Sequence, residues 1–325
     1  MATIRGIGVL VGIIAAAALA SSCSSDGASP EDLPVALPNN WVTSLAVDPN
    51  GSLWVGTTDG LGHLSDESWT NYQALDGLPT DLVNTVAVTD DGLVWVGTNF
   101  GAGLLEAGSW TRYGIEEGLP SNWVNAAAIA EDGTVWLGTI FGVSHLEAGG
   151  WISLEDDDGL YGGRVTALAF APDGTLWIGT NGGLSSVRDG VWQSYSIADG
   201  LPGDWINSIS VANDGTVWVG TRGGLGRFTG GEWTAITSDD GLPGDWVAAV
   251  AADTDGTVWV GSGEVLGQLG ADGWTIYLTG DGLPHQQVTS IAVGGDGAVW
   301  VGTRGGLGRL QNHEWTVYTA VSTGS

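Results

Sequence analysis

Few side chains in this 325-residue chain are suited to chemistry, and their spacing narrows what they could do. There are four histidines and one cysteine, so no internal disulfide can form and no Cys/His zinc cluster of ordinary spacing is available. No serine stands in a nucleophile-elbow context, and His285 has no acid or nucleophile beside it in sequence. No catalytic residue and no metal ligand is therefore assigned. What remains is a recognition set: Trp205, Arg222, Trp246, Glu264, His285, Gln287 and Arg304. Exposed indoles give flat apolar platforms for sugar rings, and guanidinium groups offer paired donors to carboxylates or hydroxyls. An oligosaccharide or anionic glycan fits that pairing. The alternative is that these tryptophans cover structural junctions and the arginines offset surrounding acid.

The charge balance excludes other partners. There are 37 acidic residues and 8 basic ones, all arginine, for a net charge of -29. Such a surface repels phosphate backbones and anionic lipid, because binding there relies on Lys and Arg displacing counterions. Nucleic acid is excluded as a partner. The acidic turns Asp253-Thr254-Asp255-Gly256, Glu155-Asp156-Asp157-Asp158 and Asp239-Asp240 could offer oxygens to calcium. They fall short of the six to eight ligands of a full site, and the Asp before each Gly already serves its turn. Calcium is the one cofactor they could hold; none is assigned. The acidity also suits a saline or otherwise harsh extracellular setting.

The elements that must carry the recognition set follow from a strict repeat. Trp54, Trp95, Trp136, Trp177, Trp218, Trp259 and Trp300 recur at one interval, 41 residues, and so do Trp69, Trp110, Trp151, Trp192, Trp233, Trp274 and Trp315. Leu37-Pro38 opens the register, and Gly-Leu-Pro recurs at Gly77, Gly118, Gly200, Gly241 and Gly282, with Gly159-Leu160-Tyr161 as the exception. Seven copies fill residues 36–322 without insertion or deletion. In the fifth, Ile206–Val211 and Thr216–Gly220 flank the turn Asn213-Asp214-Gly215 as a hairpin, and Leu225–Phe228 and Trp233–Thr237 give two outer strands. The inner strands are apolar on both faces, so each sheet must be covered twice. The expected fold is all-β: a seven-bladed β-propeller of four-stranded antiparallel blades. Both tryptophan series are expected in the core between blades, and the glycine of each Trp-Val-Gly-Thr copy (Gly56 to Gly302) is expected where neighbouring backbones approach. The ring is expected to close by packing, without a strand shared between its ends, which makes the junction of blades one and seven its weakest seam.

The segment Asp214-Gly-Thr-Val-Trp-Val-Gly-Thr-Arg-Gly-Gly-Leu-Gly-Arg227, nearly repeated from Asp296 to Arg309, resembles the two-component regulator propeller repeat. That resemblance implies a seven-bladed propeller of the kind that forms extracytoplasmic sensor regions of histidine kinases, often linked to glycan sensing. No kinase or output segment is expected in this chain.

In such a blade the connections between blades and the loop from second to third strand share one face. Two slots there vary among copies: Thr58, Asn99, Ile140, Asn181, Arg222, Gly263 and Arg304, and Trp41, Leu82, Trp123, Arg164, Trp205, Trp246 and Gln287. Blade six alone breaks the pattern, with Gly261-Ser262-Gly263-Glu264-Val265-Leu266. Blades five to seven thus collect the recognition set. His63 and His145 share one slot of the third strand and are not expected to meet; His313 falls on the opposite face. Some propellers of similar repeat character are streptogramin-cleaving lyases that use His and a divalent metal, and no matching arrangement is found.

The N-terminus reads as an address. Arg5, the apolar run Ile7–Ala20 and small residues form a signal peptide over 1–22. Cys23, after Leu19-Ala20-Ser21-Ser22, resembles a lipobox cysteine with Leu one position displaced, the alternative being a plain secreted chain; 23–35 reads as the lipidated residue and a flexible tether. The expected protein is a monomeric, non-catalytic, lipid-anchored propeller outside the cytoplasm, touching membrane through its lipid alone and binding a glycan or peptide. A scaffold that docks an envelope protein is the second expectation, and a lyase or hydrolase the third.

Overall fold

A computed structural model describes residues 36–154 and 159–321. The signal segment, Cys23, the tether and Glu155-Asp156-Asp157-Asp158 lie outside the described residues. Within them the chain forms seven antiparallel sheets, each of four strands consecutive in sequence. Blade one is built from Val42–Val47, Leu53–Thr57, Gly60–Ser65 and Ser68–Tyr72; blade seven is built from Val288–Val293, Val299–Thr303, Gly306–Gln311 and Glu314–Tyr318. The seven-bladed propeller is thus observed. Both end blades are complete, so the ring closes without a shared strand.

Each core cluster lies between two blades and joins the second-strand Trp of one to the first two strands of the next, as Trp54 does with Val83, Val86, Val94 and Val96. The other tryptophan series sits at the same junctions: Trp110 meets Tyr72 edge-on at 5.9 Å, and Trp233 meets Trp177 at 6.1 Å. Both series are structural. The Leu before each Pro is buried at every junction, from Leu37 to Leu283. The second-strand glycines receive a side chain of the next blade, not its backbone as expected. A Cβ at Gly56 would stand 2.8 Å from Val83 Cγ1, and one at Gly220 would stand 2.7 Å from Val247 Cγ1.

Every first strand carries a β-bulge at its second residue, visible as a skipped partner between Val42 and Ser44 and at the six equivalent places. The bulged residue turns its side chain to the next blade. Thr43 donates to the Val83 carbonyl (2.6 Å), Asn84 to Val124 (2.9 Å), Asn125 to Val165 (2.9 Å), Thr166 to Ile206 (2.7 Å), Asn207 to Val247 (2.8 Å) and Thr289 to Val42 (2.7 Å). The seventh position is Ala248, which has no donor. The seam between blades one and seven therefore keeps its link, contrary to expectation. The seam that lacks one joins blades six and seven. The shortfall at the closing seam is smaller: Ser290 Oγ is buried without a partner, where Ser44 and Ser208 accept amides of the following blade.

Much of the acidity is structural. Carboxylates of Asp132, Asp173, Asp214, Asp255 and Asp296 accept the amide two residues on in the hairpin turns. Asp76, Glu117, Asp199, Asp240 and Asp281 accept the amide three residues back at short 3-10 turns before the Gly-Leu-Pro junctions. These acids satisfy backbone donors that would otherwise lack partners.

Candidate functional site

The Gly-Thr that ends each second strand builds the face on which the variable slots sit. In Thr221 the hydroxyl donates to the Gly224 carbonyl (2.9 Å) and accepts the Gly223 amide (3.0 Å), fixing the turn that presents Arg222. Thr303 does the same around Arg304, donating to Gly306 and accepting from Gly305. Backbone bonds tie the two slots together: Thr58 N to Trp41 O, Asn181 N to Arg164 O, Gly263 N to Trp246 O and Arg304 N to Gln287 O, at 3.1–3.2 Å. Loop and connection thus share one face, as expected. Blade six departs here as well. Ser262 turns its hydroxyl to the Gly244 carbonyl, Gly263 takes a positive φ, and Glu264 reaches blade seven, accepting from Gln286 Nε2 at 3.0 Å.

The recognition set lies on this face but divides into small groups. Arg222 is stacked on Trp205, its guanidinium carbon 3.5 Å from the ring centroid. Trp205 is therefore a base for the arginine rather than a bare platform. Arg304 lies over Trp41 at 4.4 Å, so its aromatic partner belongs to blade one and not to the predicted set. His285 Nδ1 accepts the Gln287 amide at 3.0 Å, which fixes the connection into blade seven. Trp246, 63% exposed, is the open indole of the set. Among the described residues these groups are joined to each other by the Arg304 amide on the Gln287 carbonyl, and by no side-chain hydrogen bond or ion pair.

Charge concentrates the interest on the arginines. Arg188 pairs with Asp173 at 2.6 Å and Arg309 with Asp296 at 3.0 Å, both at the hairpin turns of the opposite face. Arg222 and Arg304 make no ion pair among the described residues, although the chain is strongly acidic. Each is held flat on an indole, which leaves its edge donors for a ligand.

Sequence reasoning left other aromatic groups on this face out of the recognition set. Phe100 and Phe141 are 69% and 61% exposed at the loops of blades two and three, and Trp123, with Arg164 5.9 Å above it, is 44% exposed. The signal of the two phenylalanines was present in the loop sequences Asn99-Phe100-Gly101 and Ile140-Phe141-Gly142, where other copies carry Gly, Asp or Glu.

The histidines are dispersed. His63 stacks on Trp54 at 4.0 Å and its Nε2 lies 2.9 Å from Ser52 Oγ; burial pushes its pKa below the ordinary value, against a smaller opposing pull from Asp48. His145 stacks in the same way on Trp136 at 4.2 Å, in a different blade. Among the described residues no three His, Cys, Asp or Glu side chains converge as a metal site would require.

Six segments, 36–59, 118–141, 162–182, 200–223, 241–264 and 282–305, match the family model described as two component regulator propeller. No curated protein sequence matches the chain. Among solved structures, the chain is similar to the extracellular domain of the hybrid two component system BT3049 from B. thetaiotaomicron, with 21% identity and a TM-score of 0.73 over 85% of this chain. It spans 40% of the length of that protein. Virginiamycin B lyase from Staphylococcus aureus aligns with 17% identity and a TM-score of 0.70, over 88% of this chain and 98% of the lyase. PorZ, a surface component of the type-IX secretion system of Porphyromonas gingivalis, aligns with 14% identity and a TM-score of 0.63, over 89% of this chain and 39% of PorZ. At these identities the structural likenesses speak for the fold.

Proposed function

The chain belongs to the two component regulator propeller family, and from that premise we propose that it is a lipid-anchored binding module outside the cytoplasm whose connection face takes an acidic oligosaccharide or an acidic peptide. The observation that carries this reading is Arg222 laid on Trp205 at 3.5 Å without an ion pair among the described residues, in a chain of net charge -29. Arg188 and Arg309 on the opposite face are matched to acid; here the donors are kept for something else. Trp246, exposed on the connection into blade six of the same face, gives a sugar ring or a flat side chain a surface to lie on. The extracytoplasmic placement is supported by the similar solved structures that are extracellular domains of two component and one component systems, and by the apolar run Ile7–Ala20 followed by Cys23.

A thermal-shift panel of neutral and acidic oligosaccharides and peptides tests the reading. A ligand at a hundred times its Kd adds about 2.7 kcal/mol, which moves the midpoint measurably. Arg222→Ala with Trp246→Ala should abolish the shift; a shift that survives places the ligand elsewhere. A second reading, the docking of an envelope protein, is favoured by exposed Phe100 and Phe141, which no small ligand on blades five to seven would cover. Retention of a protein partner that is lost on Phe100→Ser with Phe141→Ser would support it.

A further inference from the structure

The opposite face carries a cleft that the repeat pattern explains. In each blade the second-strand Trp pairs directly across the ladder with one third-strand residue: Trp54 with His63, Trp95 with Leu104, Trp136 with His145, Trp218 with Arg227, Trp259 with Gln268 and Trp300 with Arg309. These long side chains lie over the indole or close the space beside it. His63 and His145 stack on it, Arg227 and Arg309 lie 5.4 and 5.2 Å from its centroid, and Gln268 accepts from the Tyr277 hydroxyl at 2.9 Å. Blade four is the exception, because Trp177 pairs with Ser186. Ser186 is too short to fill the space, and Tyr195 turns its hydroxyl to Gln193 on its own strand, at 2.7 Å.

The result is a cleft of about 530 Å³ between blades four and five. The equivalent clefts measure about 180 Å³ between blades six and seven, where Gln268 stands in the slot, and about 390 Å³ between blades seven and one, where Arg309 does. Tyr195 and Phe228, both partly exposed, form its walls above Trp177. Phe228 meets Trp177 edge-on at 5.4 Å and stands 5.6 Å from Tyr195, where five of the other six blades have Leu at this position. Asp173 and Asp214 enter from the two hairpin turns, and the lining contains no Arg, Lys or His. Asp173 is offset by Arg188. Asp214 makes no ion pair among the described residues, the nearest compensating charge being that of Arg227, which lies over Trp218. The backbone amide and side-chain hydroxyl of Thr216 hold its carboxyl below the usual range, so it stays ionised through neutral pH.

Aromatic walls combined with a carboxylate outside any ion pair favour a positive charge on an apolar body, because ring faces and carboxylate attract it together. We propose that this cleft is a second binding site, for an alkylammonium ion. Seating the cation beside Tyr195 and Phe228 with its charge toward Asp214 needs no movement of the blades, and the site stands apart from the connection face.

Calorimetric titration of the protein with choline, and with its neutral carbon isostere 3,3-dimethylbutan-1-ol, tests the proposal. Choline should bind saturably and the neutral alcohol about tenfold more weakly. Ser186→His puts into blade four the residue that blades one and three already hold at this register, so it should fill the cleft without harming the fold and weaken choline by about tenfold or more. Asp214→Asn should do likewise by removing the charge. If Ser186→His fails to fold, Ser186→Gln copies blade six and serves in its place. Absence of saturable binding, equal affinity for the neutral isostere, or choline affinity unchanged in either variant overturns the assignment.

Discussion

The hydrogen-bonded ring of bulge side chains has one missing member, and restoring it is a direct test of what holds the propeller closed. Ala248→Asn places a donor opposite the Val288 carbonyl, as Asn84, Asn125 and Asn207 do for Val124, Val165 and Val247 at 2.8–2.9 Å. A net side-chain hydrogen bond of this type contributes about 1 kcal/mol, from which the ordering of the new side chain subtracts a part. For a chain of this length that corresponds to a rise of about 2 °C in the unfolding midpoint. Asn125→Ala is the converse change on a distant seam, so the two do not share partners. It removes the bond and leaves the Val165 carbonyl without its side-chain donor, at a cost of about 1–3 kcal/mol. Differential scanning calorimetry reads both midpoints, and urea unfolding rates show whether the gain lies in slower ring opening. If Ala248→Asn leaves midpoint and rate unchanged and Asn125→Ala costs less than about 0.5 kcal/mol, the ring of bulges is geometry without energetic weight, and the reasoning fails.

Gly220→Ala should destabilise by about 1–3 kcal/mol, because its Cβ would stand 2.7 Å from Val247 Cγ1 in a packed seam; an unchanged denaturation midpoint would show that the seam can yield. Backbone amides of Thr134, Thr175 and Thr216 hold the carboxyls of Asp132, Asp173 and Asp214 below the ordinary 3.8. A lowered native pKa contributes stability above the unfolded value, and that contribution is lost as pH falls through the native one, so melting temperature should drop below about pH 3.8. A melting temperature that instead rises through that window would mean that relief of net negative charge outweighs the turns.

The fold could be read from the sequence because each repeat states the same thing. The fifth copy's expected strands, Ile206–Val211, Thr216–Gly220, Leu225–Phe228 and Trp233–Thr237, compare with observed Ile206–Val211, Val217–Thr221, Leu225–Thr229 and Glu232–Ile236. Alternation and turn residues set those limits locally. The bulges could not be read that way. Thr43, Asn84 and Ala248 look like ordinary strand residues, and only the carbonyl of the next blade gives them a purpose. The recognition face was legible in part: the shared placement of Arg222 and Trp205 followed from topology, whereas the stacking of one on the other, and the pairing of Arg304 with Trp41 across the ring closure, depend on side-chain conformation that no spacing encodes. Ser186 went unremarked because its meaning lies in what six other blades place there.

The meeting of the two ends of the described chain has a consequence for how it can be rearranged. The Ala320 amide donates to Asn40 Oδ1 at 2.7 Å, and Asn71 Nδ2 donates to the Ala36 carbonyl at 2.8 Å, so first and last segments rest on the same blade. Because every blade completes its own sheet, no strand must cross the gap. A circular permutant that joins these ends through a short linker and opens new ones at an exposed turn between blades, such as Asp239-Asp240, would keep all seven sheets intact. In such a ring the order of synthesis is separable from the order in space, and any blade can be made first.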